Sequence, residues 1–332
     1  MIRSALTRRR FISTAGVAAG AASLGLVPIA ARAQTPVSLQ LSWLHSVQFA
    51  GSYIAQSRGW WRGEGLDVSL LPGGPNAPVE PPVVSGAALV GISAADYTAA
   101  AVEQGAPFKI LGVAMQKNPF VIASLPANPV NVPGDLEGQR IGMALANMPV
   151  LQALCTLNGV DIDAIDVIPT QYSAQPLLAG EVDCLLCWET DLPVAMAMQG
   201  VESLTMLMAD HGYALHSQTY IATEDSLANR RAELVALLAG EVRGWDAYRE
   251  DTDAAAALTV ERFPDAGLDL PTQQLQAERQ VPLMFSDLTD AAGFGWWTDD
   301  AVAANIETLA LLGRTVTPDL WDRSILEEVH GA

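Results

Sequence analysis

Two stretches of this chain share one layout, and that constrains its fold more than any other feature. "VVSGAALVGIS" (Val83–Ser93) is followed by "AADYTAAAVEQG", and "LLAGEVDCLLC" (Leu177–Cys187) by "WETDLPVAMAMQG". Each reads as a helix end, a glycine, a short apolar strand and a polar helix start. Superposing Gly86 on Gly180 sets Ser93 on Cys187 and Asp96 on Thr190. A weak repeat of this kind, one copy per half, predicts two sheet-cored lobes.

Further strands are predicted at 37–43, 66–71, 108–115, 139–145 and 165–170, with helical patterns between most of them. That alternation predicts an α/β fold with parallel sheets and right-handed crossovers. At 332 residues, half of them hydrophobic, the chain has room for two lobes of about 150 residues each. The joint between lobes is expected in Ile122–Gly138, which is rich in Pro, Asn and Gly, and a return crossing near Ser217–Thr223. Helices are expected over Arg230–Arg249, Asp253–Phe263, Pro271–Phe285 and Asp299–Leu312. The division expected is a leader at 1–33, the first part of lobe 1 at 34–124, lobe 2 at 125–218, and a return to lobe 1 with C-terminal helices at 219–332. Two crossings make a hinge, and a ligand is expected where carboxyl ends of strands from both lobes face a cleft.

The leader is read from "TRRRFIS" (Thr7–Ser13), a Gly/Ala-rich apolar run from Ala15 to Ala31, and "ARA" at Ala31–Ala33. Basic residues, a short apolar core and a small-x-small end form an export signal, here of twin-arginine form, cleaved near Ala33. The expected location is the periplasm. Removing residues 1–33 lowers Lys+Arg from 18 to 13 against 37 acids, so the net charge moves from −19 to −24. So acidic a chain argues against nucleic acid and against anionic lipid as partners.

"GEVDCLLCWETDLP" (Gly180–Pro193) raises the question of a redox or metal CxxC. In a strand, residues three apart lie roughly 10 Å apart at ~3.3 Å per residue, and a disulfide needs at most about 7 Å. A redox CxxC sits in a turn at a helix start, and zinc wants more ligands at close spacing. Cys155 and the four histidines supply no such set, although a Cys155 bridge to one of the pair stays open. The stretch is therefore read as a buried strand that delivers Trp188, Glu189 and Thr190 to the cleft, as its repeat delivers Ser93 and Asp96. An aromatic face beside a carboxylate suits a flat ligand that donates hydrogen bonds. Each residue also has a plainer reading, as lobe core or helix cap. "PGGPNAP" (Pro72–Pro78) lacks GK[ST] and is read as a turn, not a phosphate loop.

"LSWLHSVQFAGSYIAQSRGWWRGEGLDVSLLPGG" (Leu41–Gly74) resembles the start of the SsuA/THI5-like (NMT1/THI5) family of periplasmic ABC-transporter substrate-binding proteins. The resemblance continues through "PGDLEGQRIGM", "LLAGEVDCLLCW", "SQTYIAT", "LLAGEVRGWDAY" and "TLALLGRTVTPDLWDRSILEE". It implies a two-lobed, hinged type II periplasmic binding protein fold that closes on a small solute and docks on an ABC permease with its ATPase. The start is most similar to the branch that binds thiamine-precursor pyrimidines. The family Trp falls on Trp43, its Asn/Gln-His pair on Gln48 and Phe49, and its aromatic-Glu pair on Trp188 and Glu189, so the histidine is missing here. Asn147, ahead of a Pro-started helix, is a further candidate contact. No cofactor and no metal are expected. The membrane is reached only through the permease.

An enzyme is the main rival. THI5-type pyrimidine synthases share the implied fold and use pyridoxal phosphate, whose chemistry needs a Schiff-base lysine. The chain has two lysines, Lys109 and Lys117, in no recognisable cofactor motif. A sensor module is the third class. Flavins, sulfonates and other aromatic solutes are alternative ligands. A sulfonate would want Arg or Lys in the cleft, and the segments above carry none, which favours a neutral or cationic heterocycle.

Overall fold

The computed structural model of the chain describes residues 34–75 and 77–331. The export signal read in residues 1–33 lies outside them. Ten strands are formed: β1 (Thr35–Gln40), β2 (Leu66–Leu71), β3 (Val90–Ala94), β4 (Phe108–Met115), β5 (Phe120–Ser124), β6 (Arg140–Met143), β7 (Asp166–Pro169), β8 (Cys184–Trp188), β9 (Leu204–Leu207) and β10 (Ser217–Thr223). They build two sheets of five, ordered β2-β1-β3-β10-β4 and β7-β6-β8-β5-β9.

The repeat read from the sequence is the midline of this architecture. β3 and β8 each hold the third place in their sheet, and they occupy matching positions after Gly86 and Gly180. Both glycines take a left-handed backbone, φ 77° and 70°, which lets the chain turn tightly from helix into strand. The two sheets share one plan. β1, β2, β3 and β4 of the first correspond in order and place to β6, β7, β8 and β9 of the second.

The fourth place breaks the parallel pattern. β10 runs antiparallel to β3 and β4, and β5 antiparallel to β8 and β9. Both sheets are therefore mixed, where the alternation of strands and helices suggested parallel ones. The reason is topological: each antiparallel strand is the first one laid down after the chain crosses between halves, so it enters from the opposite direction. β5 belongs to the second sheet, so the outward crossing is Gln116–Pro119, ahead of the joint expected in Ile122–Gly138. Ser217–Thr223 is itself a strand, and the return crossing precedes it.

One side chain ties the crossings together. Buried Asn118 donates from Nδ2 to the Leu215 carbonyl at 2.9 Å and accepts from the Phe120 N–H at 3.1 Å. Outgoing and returning chain are thus held side by side.

The tail is helical at 231–250, 252–262, 270–284 and 299–311, within two residues of expectation. Asp251, Asp269 and Thr298 cap three of these helices by accepting from the N–H of Ala254, Thr272 and Ala301. The long helix 231–250 packs against helix 50–57 at a glycine contact, where a Cβ on Gly244 would lie 2.0 Å from the Gly51 carbonyl oxygen. Glu241 is buried beside that contact, accepting from the Tyr220 hydroxyl at 2.7 Å and the Trp245 indole at 3.2 Å. Among the described residues no helix is long and apolar enough to cross a membrane.

Candidate ligand site between the two sheets

The carboxyl ends of β1 and β8 meet at a small groove. Ser46, Val47 and Gln48 line it from the segment after β1, and Thr190 and Asp191 from the segment after β8. Gln276 and Gln280 of helix 270–284 form a third wall. The space it spans, counting what is open to solvent, is about 190 Å³.

Local structure explains the placement. After β1 the chain makes a short 3-10 turn, Val47–Phe49, with Ser46 as its cap; the Ser46 hydroxyl accepts from the Gln48 N–H at 3.4 Å. The turn presents Gln48 to the groove and drives Phe49 into the core, where it is fully buried. Phe49 is thus a packing residue, not a groove residue, because side chains of a 3-10 turn fan out about 120° apart and this one is turned to the core. Trp43 stands exposed on the loop between β1 and this turn. His45 stacks on Phe263 at 3.8 Å between ring centroids and bonds the Tyr53 hydroxyl, so it is engaged in packing.

On the other side, Trp188 ends β8 half-buried, edge-on to Phe120 at 6.1 Å. Glu189 follows, with Oε1 held by Arg279 at 2.6 Å and Oε2 buried without a partner. Thr190 is buried, and its carbonyl accepts from Gln276 Nε2 at 2.9 Å. Burial pushes the Asp191 carboxyl above its ordinary range, against the pull of the Tyr172 hydroxyl that donates to it at 2.7 Å.

Ser93 and Asp96 lie at the matching edge of the first sheet. The Ser93 hydroxyl donates to Glu80 at 2.5 Å. Asp96 opens the helix after β3, and its Oδ1 is buried with no partner. Desolvation raises its pKa, with its own and the Tyr97 backbone N–H opposing. Asn147 precedes helix 148–158, half-buried, its side chain making no cap bond. Of the residues singled out in the sequence, Gln48 and Thr190 share the groove wall, and Glu189 adjoins it. Trp43, Ser93, Asp96, Asn147 and Trp188 sit at or just past the carboxyl ends of β1, β3, β6 and β8, outside its lining.

Helix 270–284 was not read as part of the site, although it carries the groove's densest polar group. Gln273, Gln276 and Gln280 recur at spacings of three and four, which puts them on one helix face. Gln273 accepts from the Val47 N–H at 2.7 Å and passes a bond from Nε2 to Gln276 at 2.7 Å. A glutamine stripe on a tail helix is legible as a buried polar face, but nothing local says what it faces. The same helix brings Arg279. A cation therefore does stand beside the groove, contrary to the expectation from the strand-flanking segments, yet its charge is met by Glu189.

The three cysteines are buried and free. Cys184 and Cys187 point to opposite sides of β8, as extended spacing requires. Burial pushes the Cys184 thiol up to about 12 and that of Cys155 to about 11. Lys109 is held by Glu224 at 3.2 Å and Lys117 by Asp210 at 2.6 Å; neither lines the groove.

Comparison with known proteins places this architecture. The profile of the family described as NMT1/THI5 like matches residues 46–255, well over half of the chain. The chain belongs to the NMT1/THI5-like family. It is similar to the riboflavin-binding protein RibY of Chloroflexus aurantiacus, 26% identical over 272 residues that cover 78% of this chain and 76% of RibY. Among solved structures it resembles the periplasmic aliphatic sulphonate-binding protein SsuA of Escherichia coli, with a TM-score of 0.64 and 16% identity over 84% of this chain and 86% of that one. The desulfurization enzyme DSZB matches with a TM-score of 0.60 and 14% identity, over 88% and 98%. These structural likenesses confirm the two-lobed α/β periplasmic binding protein fold. They also show that the fold carries both binding proteins and an enzyme.

Proposed function

We propose that this member of the family is the solute-binding protein of an ABC importer. It works in the periplasm after export and hands a small planar heterocycle to a permease and its ATPase. The observation that carries the ligand class is the groove's lining. Gln48 offers an amide, Gln276 and Gln280 keep amide capacity beyond their bonds to Thr190, Gln273 and Tyr248, the Glu189 Oε2 beside them is an unpaired acceptor, and the nearby cation is already paired. A neutral ring with N–H and acceptor atoms at its edge matches that set. A sulfonate, which offers acceptors and a negative charge, would have to take Arg279 from Glu189.

Two ligands meet the description. A thiamine-precursor pyrimidine is one: its amino group and ring nitrogens set a donor beside acceptors on a single ring. The likeness to RibY favours the tricyclic ring of a flavin, whose pyrimidinedione ring likewise carries an N–H beside acceptors. Binding rather than catalysis is supported by the engagement of both lysines away from the groove and by the burial of all three thiols.

Native mass spectrometry of the gently purified protein tests the reading. A bound pyrimidine or flavin is the expected result. Titration calorimetry with hydroxymethylpyrimidine, riboflavin and ethanesulfonate follows; binding of ethanesulfonate alone would refute it.

A further inference from the structure

Gln218 combines three properties that the fold does not need. It is the sole non-glycine residue with positive φ, +49°, among the described residues. It is buried, and neither the nitrogen nor the oxygen of its carboxamide has a hydrogen-bond partner. A left-handed backbone strains an L residue where glycine would be free of strain. A buried amide left unpaired works against stability a second time. Strain of this kind concentrates at functional sites, held in place by the surrounding structure.

Its position is informative. In β10, Ser217 pairs with Ala94 and Met115, while Thr219 pairs with Ser93 and Val113. Against β3 the register shifts at Gln218, whereas against β4 it runs unbroken there, so the bulge lies at the carboxyl end of β3, the edge of the first sheet where a ligand is bound in folds of this kind. Other unpaired buried oxygens gather along this edge: Thr219 Oγ1, next in the strand, and Asp96 Oδ1, just after β3. The Tyr213 hydroxyl is unpaired as well, and Asp96 adds to the burial that keeps its proton on.

We propose that Gln218 is a specificity-determining residue whose carboxamide reads a ligand edge carrying an N–H donor next to an acceptor. A carboxamide presents one donor and one acceptor side by side, so it matches a lactam or an aminopyrimidine edge with two hydrogen bonds. An edge of acceptors alone leaves the Gln218 oxygen unpaired and is disfavoured. The inference rests on the proposed function, since it names a further contact for the same solute, outside the groove's immediate lining and at the edge of the first sheet.

Gln218→Gly and Gln218→Asn test it against wild type, by thermal unfolding without added ligand and by titration with hydroxymethylpyrimidine, riboflavin and ethanesulfonate. Gln218→Gly is expected to unfold at or above the wild-type temperature. Both variants are expected to lose at least tenfold in affinity for whichever N–H-bearing probe binds wild type. Unfolding of Gln218→Gly more than about 4 °C below wild type overturns the inference whatever binds, because the side chain then serves the fold. Unchanged affinity in both variants also overturns it, as does wild-type binding to ethanesulfonate alone. If wild type binds none of the three probes, the proposed ligand class fails by itself, and the unfolding temperature of Gln218→Gly still decides the inference.

Discussion

Arg279 donates to Glu189 at 2.6 Å, joining a helix of the C-terminal tail to the residue that follows the middle strand of the second sheet. The same helix accepts a hydrogen bond from Val47, which follows the first strand of the first sheet. Its end also receives the Lys117 N–H, inside the outward crossing, on the Leu283 carbonyl at 3.0 Å. Helix 270–284 therefore touches both halves and the connection between them.

Breaking that ion pair is expected to favour an open arrangement of the halves. Both side chains are less than a third exposed, at 26% and 17%, so screening by water is incomplete. Arg279→Gln should cost roughly 1–3 kcal/mol of the closed arrangement, between the values for exposed and buried pairs. Small-angle X-ray scattering of the ligand-free protein should show a larger radius of gyration. The double exchange Glu189→Arg with Arg279→Glu should restore the compact value; a radius unmoved by Arg279→Gln would show that the pair does not hold the halves together.

Two buried groups should give opposite pH dependences. Burial raises Glu241 from 4.5 to about 7, with the Tyr220 and Trp245 bonds opposing. Below pH 4.5 its effect on stability is fully favourable, and that is lost as pH rises through 7. Burial lowers His216 from 6.5 to about 4, and its Nδ1 accepts from Trp321 at 3.1 Å, so the neutral ring is the one that fits. That contribution is present above pH 6.5 and lost as pH falls through 4. Each is worth about 3 kcal/mol and their windows overlap, so they largely cancel in the native protein. Glu241→Gln should remove the falling limb, making the variant gain on wild type by about 3 kcal/mol between pH 4.5 and 7. Melting temperatures across that range measure it, and parallel profiles would show that Glu241 does not titrate there.

All three thiols should be silent in the folded protein. They are buried, and burial lifts the Cys187 thiol well above its ordinary range, as it does the other two. A thiol-specific chromogenic reagent at pH 8 should react with none of them until denaturant is added, and then with three. Any reaction with the native protein would mean that one thiol is reachable.

The glycine contact between helices 50–57 and 231–250 should tolerate no side chain. Gly244→Ala places a methyl against the Gly51 backbone, which cannot swing aside as a side chain could. A loss of roughly 1–3 kcal/mol is expected in denaturant unfolding. Gly63→Ala meets nothing within 4 Å and should be neutral or slightly stabilising, which separates the packing effect from helix propensity.

Strands, tail helices and the repeat were legible in the sequence because they follow from local rules. Apolar runs, turn glycines and capping residues mark them, and the repeat aligned β3 with β8 without reference to anything distant. Glu189 and Thr190 were reachable for the same reason, since each stands just past a recognisable strand, whereas Gln48 was reached through the family resemblance. Phe49 was misplaced because one residue of turn geometry decides whether a side chain meets the groove or the core.

What the chain alone determined, then, was the set of elements and the residues at their ends. Which strand sits in which sheet was decided by the two crossings, which place β5 and β10 antiparallel in the middle of sheets that otherwise run parallel. That pairing depends on hydrogen bonds between segments far apart in the chain. The third wall was also tertiary: the tail helix reaches Glu189 only once both sheets exist, because a separation of 90 residues between Glu189 and Arg279 carries no spacing that records the contact. Gln218 shows the limit most clearly, since its left-handed backbone and unpaired amide exist only in the bulge formed where β10 pairs with β3.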